Sequence, residues 1–223
     1  MRVHRTSTQP TEHDPHRATP IRAVYKGTAG AFGEEAIRSA WHGRAHAVPA
    51  CSFAEAFEEL LSGRVSCAVI PVWNSAIGAI SSGQAALHAH GAAIAVAREI
   101  EIPVRHSLLG LPGTSIEDVR FVGSHPAALA QCSKLFAAHP EWSACTALDT
   151  GGAARDLSLL WPIGRSRSWY ASLSVESPAQ LAALASASAG KKYGLCVLRE
   201  DVQDDPANVT RFVIVRAKSS RHT

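Results

Sequence analysis

The residues of this sequence best suited to chemistry are amides, hydroxyls and one guanidinium: Asn74-Ser75, Ser124, Gln131, Asp149-Thr150 and Thr210-Arg211-Phe212. Such a set can hold an anionic small molecule by hydrogen bonds, and Arg211 can grip a carboxylate with two parallel N–H donors. Each also has a plain structural alternative. Thr210 is a β-branched residue opening a strand, Arg211 a surface arginine at a strand edge, Asn74-Ser75 a turn, and Ser124 a helix cap. Gly27, Gly30 and Gly33 form G-x-x-G-x-x-G, which is neither the dinucleotide fingerprint nor the Walker loop. Glycines between a strand and a helix let backbone N–H groups approach a carboxylate, although a simple βα turn would read the same. His42 with His46, and His88 with His90, lack a third ligand in a metal-binding motif, so no metal site is expected.

These residues must be positioned by an alternation of strands and helices that begins at Ile21. Arg22–Tyr25 reads as a strand entering the glycine-rich turn, followed by a helix over about 34–41 and a strand over 45–48. Ser52 and Glu55 make a capping box for a helix that carries Phe53, Phe57, Leu60 and Leu61 on one face and stops at Gly63. The apolar run 65–72 fits a strand covered on both faces, giving βαβαβ and a parallel sheet. The second half repeats the pattern: strand 119–122, a helix over 126–138 capped by Ser124 or His125, strand 144–148, and a helix opened by Asp149-Thr150. A helix over 180–189, strand 195–198 and a closing strand 213–215 complete it.

The chain has 223 residues, 46% of them hydrophobic, enough to bury a substantial core. A net charge of +3 from scattered Lys and Arg, with 6% aromatic residues, argues against a nucleic-acid platform. Five widely spaced cysteines with no C-x-x-C pair suggest neither a disulfide framework nor zinc, and a reducing cytoplasm is the expected compartment. Residues 1–20 have no apolar stretch for a signal peptide and read as a disordered tail, with a short tail at 218–223. No apolar run reaches the roughly 20 residues of a transmembrane helix, so no membrane partner is expected.

Five signatures in fixed order carry a resemblance: Gly27-Thr28-Ala29-Gly30-Ala31-Phe32, Pro71-Val72-Trp73-Asn74-Ser75, Ser124-His125-Pro126 with Ala128-Leu129-Ala130-Gln131-Cys132, Tyr193-Gly194-Leu195, and Thr210-Arg211-Phe212. Together they resemble prephenate dehydratase, which converts prephenate to phenylpyruvate, water and carbon dioxide in phenylalanine biosynthesis. The resemblance implies an α/β fold of two lobes of the periplasmic-binding-protein type, with mainly parallel sheets and a cleft between the lobes. Lobe 1 would comprise about 21–98 plus 199–217 and lobe 2 about 99–198. It implies no cofactor and no metal, a dicarboxylate substrate and a homodimer. Thr210 would be the catalytic residue, donating a hydrogen bond to the leaving hydroxyl. Asn74, Ser75, Ser124, Gln131, Thr150, Arg211 and the loop residues Gly30 and Ala31 would bind substrate.

Three departures accompany the resemblance. Trp73 stands where the family has a glutamate, which is expected to change the pocket or its rim. About sixteen extra residues lie between Asp149 and Ser186, an insertion near 158–176 with Trp161, Arg165, Arg167, Trp169 and Tyr170, suited to a lid or a subunit contact. The phenylalanine-sensing ACT domain usual in the family does not follow. Two rival readings stay open: a paralogue that decarboxylates a prephenate-like substrate without aromatising it, and a ligand-binding protein that has lost turnover.

Overall fold

The computed structural model of the protein describes residues 20–159 and 168–218. The tails expected at 1–20 and 218–223 fall, apart from residues 20 and 218, outside them, as do residues 160–167 of the insertion.

Two mixed sheets form two lobes. The first is built from β1 (Arg22–Lys26), β2 (His46–Ala50), β3 (Cys67–Asn74) and the short β4 (Gly78–Ala79), with β5 (Ile94–Pro103) at one edge. Helices α1 (Phe32–Ala40), α2 (Phe53–Leu61) and α3 (Ser81–His90) cover it. The second contains β6 (Ser107–Gly110), β7 (Phe121–Ser124), β8 (Ser143–Thr146), β9 (Leu181–Ala185) and β10 (Cys196–Arg199). Its helices are α4 (Pro126–Ala130), α5 (Ser133–Ala138), α6 (Thr150–Ser158) and α7 (Ala187–Tyr193). Finally β11 (Val209–Ala217) returns to the first sheet and runs antiparallel between β3 and β5. The strand orders are β2-β1-β3-β11-β5 and β10-β6-β9-β7-β8. Parallel pairing holds for β2-β1-β3 and for β8-β7-β9, where helices supply the crossovers, while the strands beside each lobe crossing run antiparallel.

Several elements differ from the sequence expectation. The segment expected as a helix over 180–189 is strand β9, with α7 starting only at Ala187. Its sequence, Leu-Ala-Ala-Leu-Ala, has helix-forming residues and no β-branched one. It lies between β6 and β7, and all five residues are fully buried, so the sheet context overrides propensity. The helix expected over 126–138 is broken into α4 and α5 at Gln131-Cys132. The first lobe keeps the chain through Pro103 at the end of β5, rather than to about 98, and β5 and β6 are strands that no sequence pattern had marked.

The chain crosses between lobes twice, and the two crossings lie side by side. Val104 N–H donates to the Asn208 carbonyl at 2.8 Å, Val202 N–H to the His106 carbonyl at 2.9 Å, and His106 N–H to Gln203 Oε1 at 2.9 Å. On the other side the 27–31 loop meets lobe 2. Thr28 N–H and Oγ1 both donate to Asp149, Tyr193 Oη donates to the Ala29 carbonyl at 2.7 Å, and a Cβ on Gly151 would sit 2.8 Å from the Ala29 carbonyl oxygen. Only glycine at 151 allows this approach.

The described part of the insertion packs on the flank of lobe 2. Trp169 Nε1 donates to the Ala153 carbonyl, Tyr170 Oη donates to the Asp156 carbonyl, and the Trp169 indole covers Gly123. Among the described residues it is therefore part of the α6 core and not a lid. A Cβ at Gly123 would lie 2.3 Å from that ring. Gly123→Ala is expected to displace the indole and cost about 1–3 kcal/mol, seen as a lower Tm and a red-shifted tryptophan emission.

Candidate active site

A β-bulge sets the floor of the interlobe cleft. Thr210 pairs with Asn74 and Arg211 with Trp73, but Phe212 pairs with Pro71, so Val72 is the extra residue of β3. The bulge brings Pro71 and Asn74, an odd number of residues apart, to the same side, and both line the cleft together with Thr210. Lobe 2 contributes Ala127, Ala128 and Gln131 from the α4 region, His125, and Asp149-Thr150 at the start of α6. Phe32, Phe53, Ile77, Ile80 and Val104 make the walls largely apolar, and Lys26 stands at the end of β1. The cavity is about 270 Å³.

The Asn74 side chain, 2% exposed, organises this floor. Its Oδ1 accepts from the Ala76 and Ile77 N–H groups, at 3.0 and 3.2 Å, which fixes which way the amide faces. Nδ2 then points at Asn208 Oδ1 (2.7 Å), the Val209 carbonyl (3.0 Å) and Thr210 Oγ1 (2.9 Å). Because Thr210 Oγ1 accepts from Asn74, its own hydrogen has no protein acceptor among the described residues and is free to be donated into the cleft. Gln131 spans the lobes: Nε2 donates to Asn74 Oδ1 at 3.3 Å while Oε1 meets His106 Nε2 at 3.0 Å. The oxygen of Gln131 must accept there, so His106 carries its proton on Nε2 and its buried Nδ1 is left without a partner. The break between α4 and α5 is what turns Gln131 inward. Asp204 reinforces the break: its N–H binds the Gln131 carbonyl and its carboxylate binds the N–H groups of Ser133 and Lys134.

Of the residues marked in the sequence, the structure brings together Thr210, Asn74, Gln131 and Asp149-Thr150, and leaves Ser75, Ser124, Gly30, Ala31 and Arg211 outside the cleft. Ser124 is fully buried with Oγ donating to the Leu184 carbonyl at 2.6 Å, where it ties β7 to β9; the cap of α4 is His125. Ser75 is exposed and accepts from Val209 N–H, fastening the start of β11. Gly30 N–H donates to Glu34 and Ala31 N–H to the Thr28 carbonyl, so neither presents a donor to the cleft.

Arg211 alternates with Thr210 along β11 and so faces the other way. It pairs with Glu101 at 2.9 Å and lies 5.3 Å from the centre of the Trp73 ring. Trp73, expected to alter the pocket, sits on that outer face with it. From the sequence, Lys26, His106, Phe32 and Asn208 were assigned no role in the site. Asn208 stands two residues before Thr210 and Phe32 closes the first signature, but nothing in the sequence marked Lys26 or His106.

Burial pushes the His106 imidazole below the ordinary histidine range, against the pull of its hydrogen bond to Gln131. Burial and then the Lys26 ammonium push His125 down as well, with Asp149 opposing. His106 is thus favoured neutral in the folded protein, whereas in the unfolded chain it takes up a proton below about pH 6.5; His125 is exposed, so solvent screens its share. Stability is therefore full above that value and is lost as pH falls below it, toward the lowered folded-state values. Thermal melts should show Tm falling on acidification from about pH 7.5 to about pH 5.5, with a shallower slope in His106→Gln. An unchanged slope would mean that His106 protonates freely in the folded state.

Residues 23–220 match the model of the family described as prephenate dehydratase. Among curated relatives, "Arogenate dehydratase/prephenate dehydratase 2, chloroplastic" of Arabidopsis thaliana is 36% identical over 199 residues, covering 87% of this chain and 46% of that protein. Arogenate dehydratase 1 of Petunia hybrida is 35% identical over 202 residues, 90% of this chain and 43% of that protein. This chain thus spans under half the length of these relatives. Among solved structures, the prephenate dehydratase of Arthrobacter aurescens in complex with L-Phe superposes with a TM-score of 0.74 at 25% identity, over 90% of this chain and 61% of that one. GqqA, described as a novel type of quorum quenching acylase, gives 0.73 at 28% identity, over 89% and 65%. With the match running from β1 through β11, the chain belongs to the prephenate dehydratase family.

Proposed function

We propose that this protein dehydrates and decarboxylates prephenate to phenylpyruvate in phenylalanine biosynthesis, a carbon–oxygen lyase reaction. The observation that carries the reading is the Thr210 hydroxyl, 8% exposed on the cleft floor, with its oxygen held by Asn74 and its hydrogen uncommitted among the described residues. The electrons of the departing carboxylate's C–C bond move into the ring as the C–O bond to the hydroxyl breaks. The hydroxyl leaves with a hydrogen bond from Thr210 and becomes water by taking up a proton from solvent. Aromatisation drives the step, so the protein has to orient the substrate, exclude water and stabilise the leaving hydroxyl. A threonine is too weak an acid to be a full proton donor near neutral pH, and its role is a preorganised hydrogen bond to the leaving oxygen. The apolar walls keep the site poor in water, and Gln131 closes the floor from the second lobe.

Thr150 at the α6 N-terminus and Asn74 are the other site residues in this reading. Ser75 and Ser124 hold the strands that carry them, and Arg211 supports β11 from outside. We take the protein to work as a cytoplasmic homodimer without cofactor; its five cysteines, all unpaired, support a reducing compartment. Among the described residues no helix is long and apolar enough to cross a membrane.

Thr210→Val keeps shape and removes the donor. Its kcat with prephenate is expected to fall by roughly 10²-fold, with a smaller change in KM and with Thr210→Ser retaining most activity. Phenylpyruvate formation is followed by its absorbance in alkali. A non-aromatising decarboxylase would consume prephenate without that signal, and a binding protein would leave it intact.

A further inference from the structure

With Arg211 turned outward against Glu101, the cleft lacks the guanidinium that was expected to take a substrate carboxylate. Prephenate nonetheless brings two carboxylates. Among the described residues Lys26 is the only lysine or arginine lining the cleft. Its Nζ lies 5.7 Å from the centre of the Phe53 ring, another cleft wall, and it forms no ion pair with any described carboxylate. Asp149, the carboxylate in the same cleft, is taken up by Thr28 N–H, Thr28 Oγ1 and Gly152 N–H.

The position of Lys26 also fits the substrate. In a para-substituted cyclohexadiene the hydroxyl is at one end of the ring and both carboxylate-bearing groups are at the other. Thr210 belongs to β11 and Lys26 to β1, with β3 between them. Two strand spacings, roughly 10 Å, separate them across the sheet, and the ladder adds further offset along it, since Tyr25 aligns with Val69 and Thr210 with Asn74. A lysine side chain reaching inward from that distance meets the anionic end of a ring whose hydroxyl is at Thr210.

We propose that Lys26, held against Phe53 in the wall of the cleft, anchors the side-chain carboxylate and makes this cleft select the keto acid over its amino counterpart. This rests on the dehydratase reading. The keto acid brings only negative charge to the ammonium. The amino counterpart, arogenate, brings an ammonium of its own, and like charges at close range repel. Lys26 is exposed at the cleft mouth, so salt screens the effect and the expected discrimination is modest.

The test pairs turnover with binding. Wild type, Lys26→Gln and Lys26→Arg are assayed for kcat/KM with prephenate and with arogenate. Calorimetry then gives Kd for phenylpyruvate and for phenylalanine, the stable keto and amino pair. Wild type should favour the keto member in both measurements by roughly tenfold, ~1.4 kcal/mol. Lys26→Gln should lose most of that preference, chiefly through KM, and Lys26→Arg should retain it. Equal binding of the pair by wild type, or an unchanged Kd ratio in Lys26→Gln, overturns the assignment whether or not prephenate is turned over. Absence of turnover with the binding pattern intact counts against the dehydratase reading alone.

Discussion

The side-chain amide of Asn74 is the interaction on which the cleft depends. It joins segments 57 to 136 residues away in sequence, accepting from Gln131 of the second lobe and donating to Thr210 on the neighbouring strand. An amide can do this because one end only accepts and the other only donates; fixing one end by the Ala76 and Ile77 N–H groups dictates the other. The state of Thr210 then follows, since a hydroxyl that already accepts from an amide turns its hydrogen elsewhere. Replacing Asn74 by aspartate would put an acceptor where the Asn208 and Val209 oxygens need a donor, with several buried polar atoms losing partners together.

The outer face of the same ladder explains Trp73, which stands where the resemblance implies a glutamate. Strand alternation sends Arg211 and Trp73 to the side away from the cleft, where the guanidinium lies over the indole and pairs with Glu101 on β5. A carboxylate at 73 would face Arg211 directly across the ladder. Here Glu101 supplies that charge from the opposite neighbour and the indole supplies a polarisable surface. The substitution is thus accommodated on the supporting face of β11. Both partners are partly exposed, so the pair holds orientation more than it adds stability.

How far the fold was legible in the sequence depended on whether the local pattern and the tertiary environment agreed. The capped helix α2 was readable because Ser52 and Glu55 make their hydrogen bonds within a few residues, Ser52 Oγ accepting from Glu55 N–H and Glu55 binding Cys51 N–H. Strand β9 was not, because alanine and leucine become a strand only when β6 and β7 flank them on both sides. The motif order marked Thr210, Asn74, Gln131 and Thr150, all of which line the cleft. It could not tell these from Ser124 and Arg211, because which face of a strand meets the cleft is set by how the two sheets are placed: Ser124 is taken up by the Leu184 carbonyl inside the second sheet, and Arg211 turns to Glu101 on the far face of the first. Lys26 was missed for a related reason: one exposed lysine at a strand end looks like any other until the opposite lobe is placed over it.

The topology of the first sheet also bears on how the chain acquires its structure. Strand β11 lies between β3 and β5, yet it is made only after the whole second lobe has been synthesised. On the ribosome, β3 and β5 therefore emerge with facing edges unpaired, a gap one strand wide that backbone groups of another chain could fill. The second lobe, contiguous in sequence, can close first and draw the two crossing segments together. That shortens the loop β11 must span to reach its slot. Insertion of one central strand is then the slow, non-local event that turns two half-sheets into a single ladder. The cleft comes into being at the same moment, because Thr210 rides on the strand that completes the sheet.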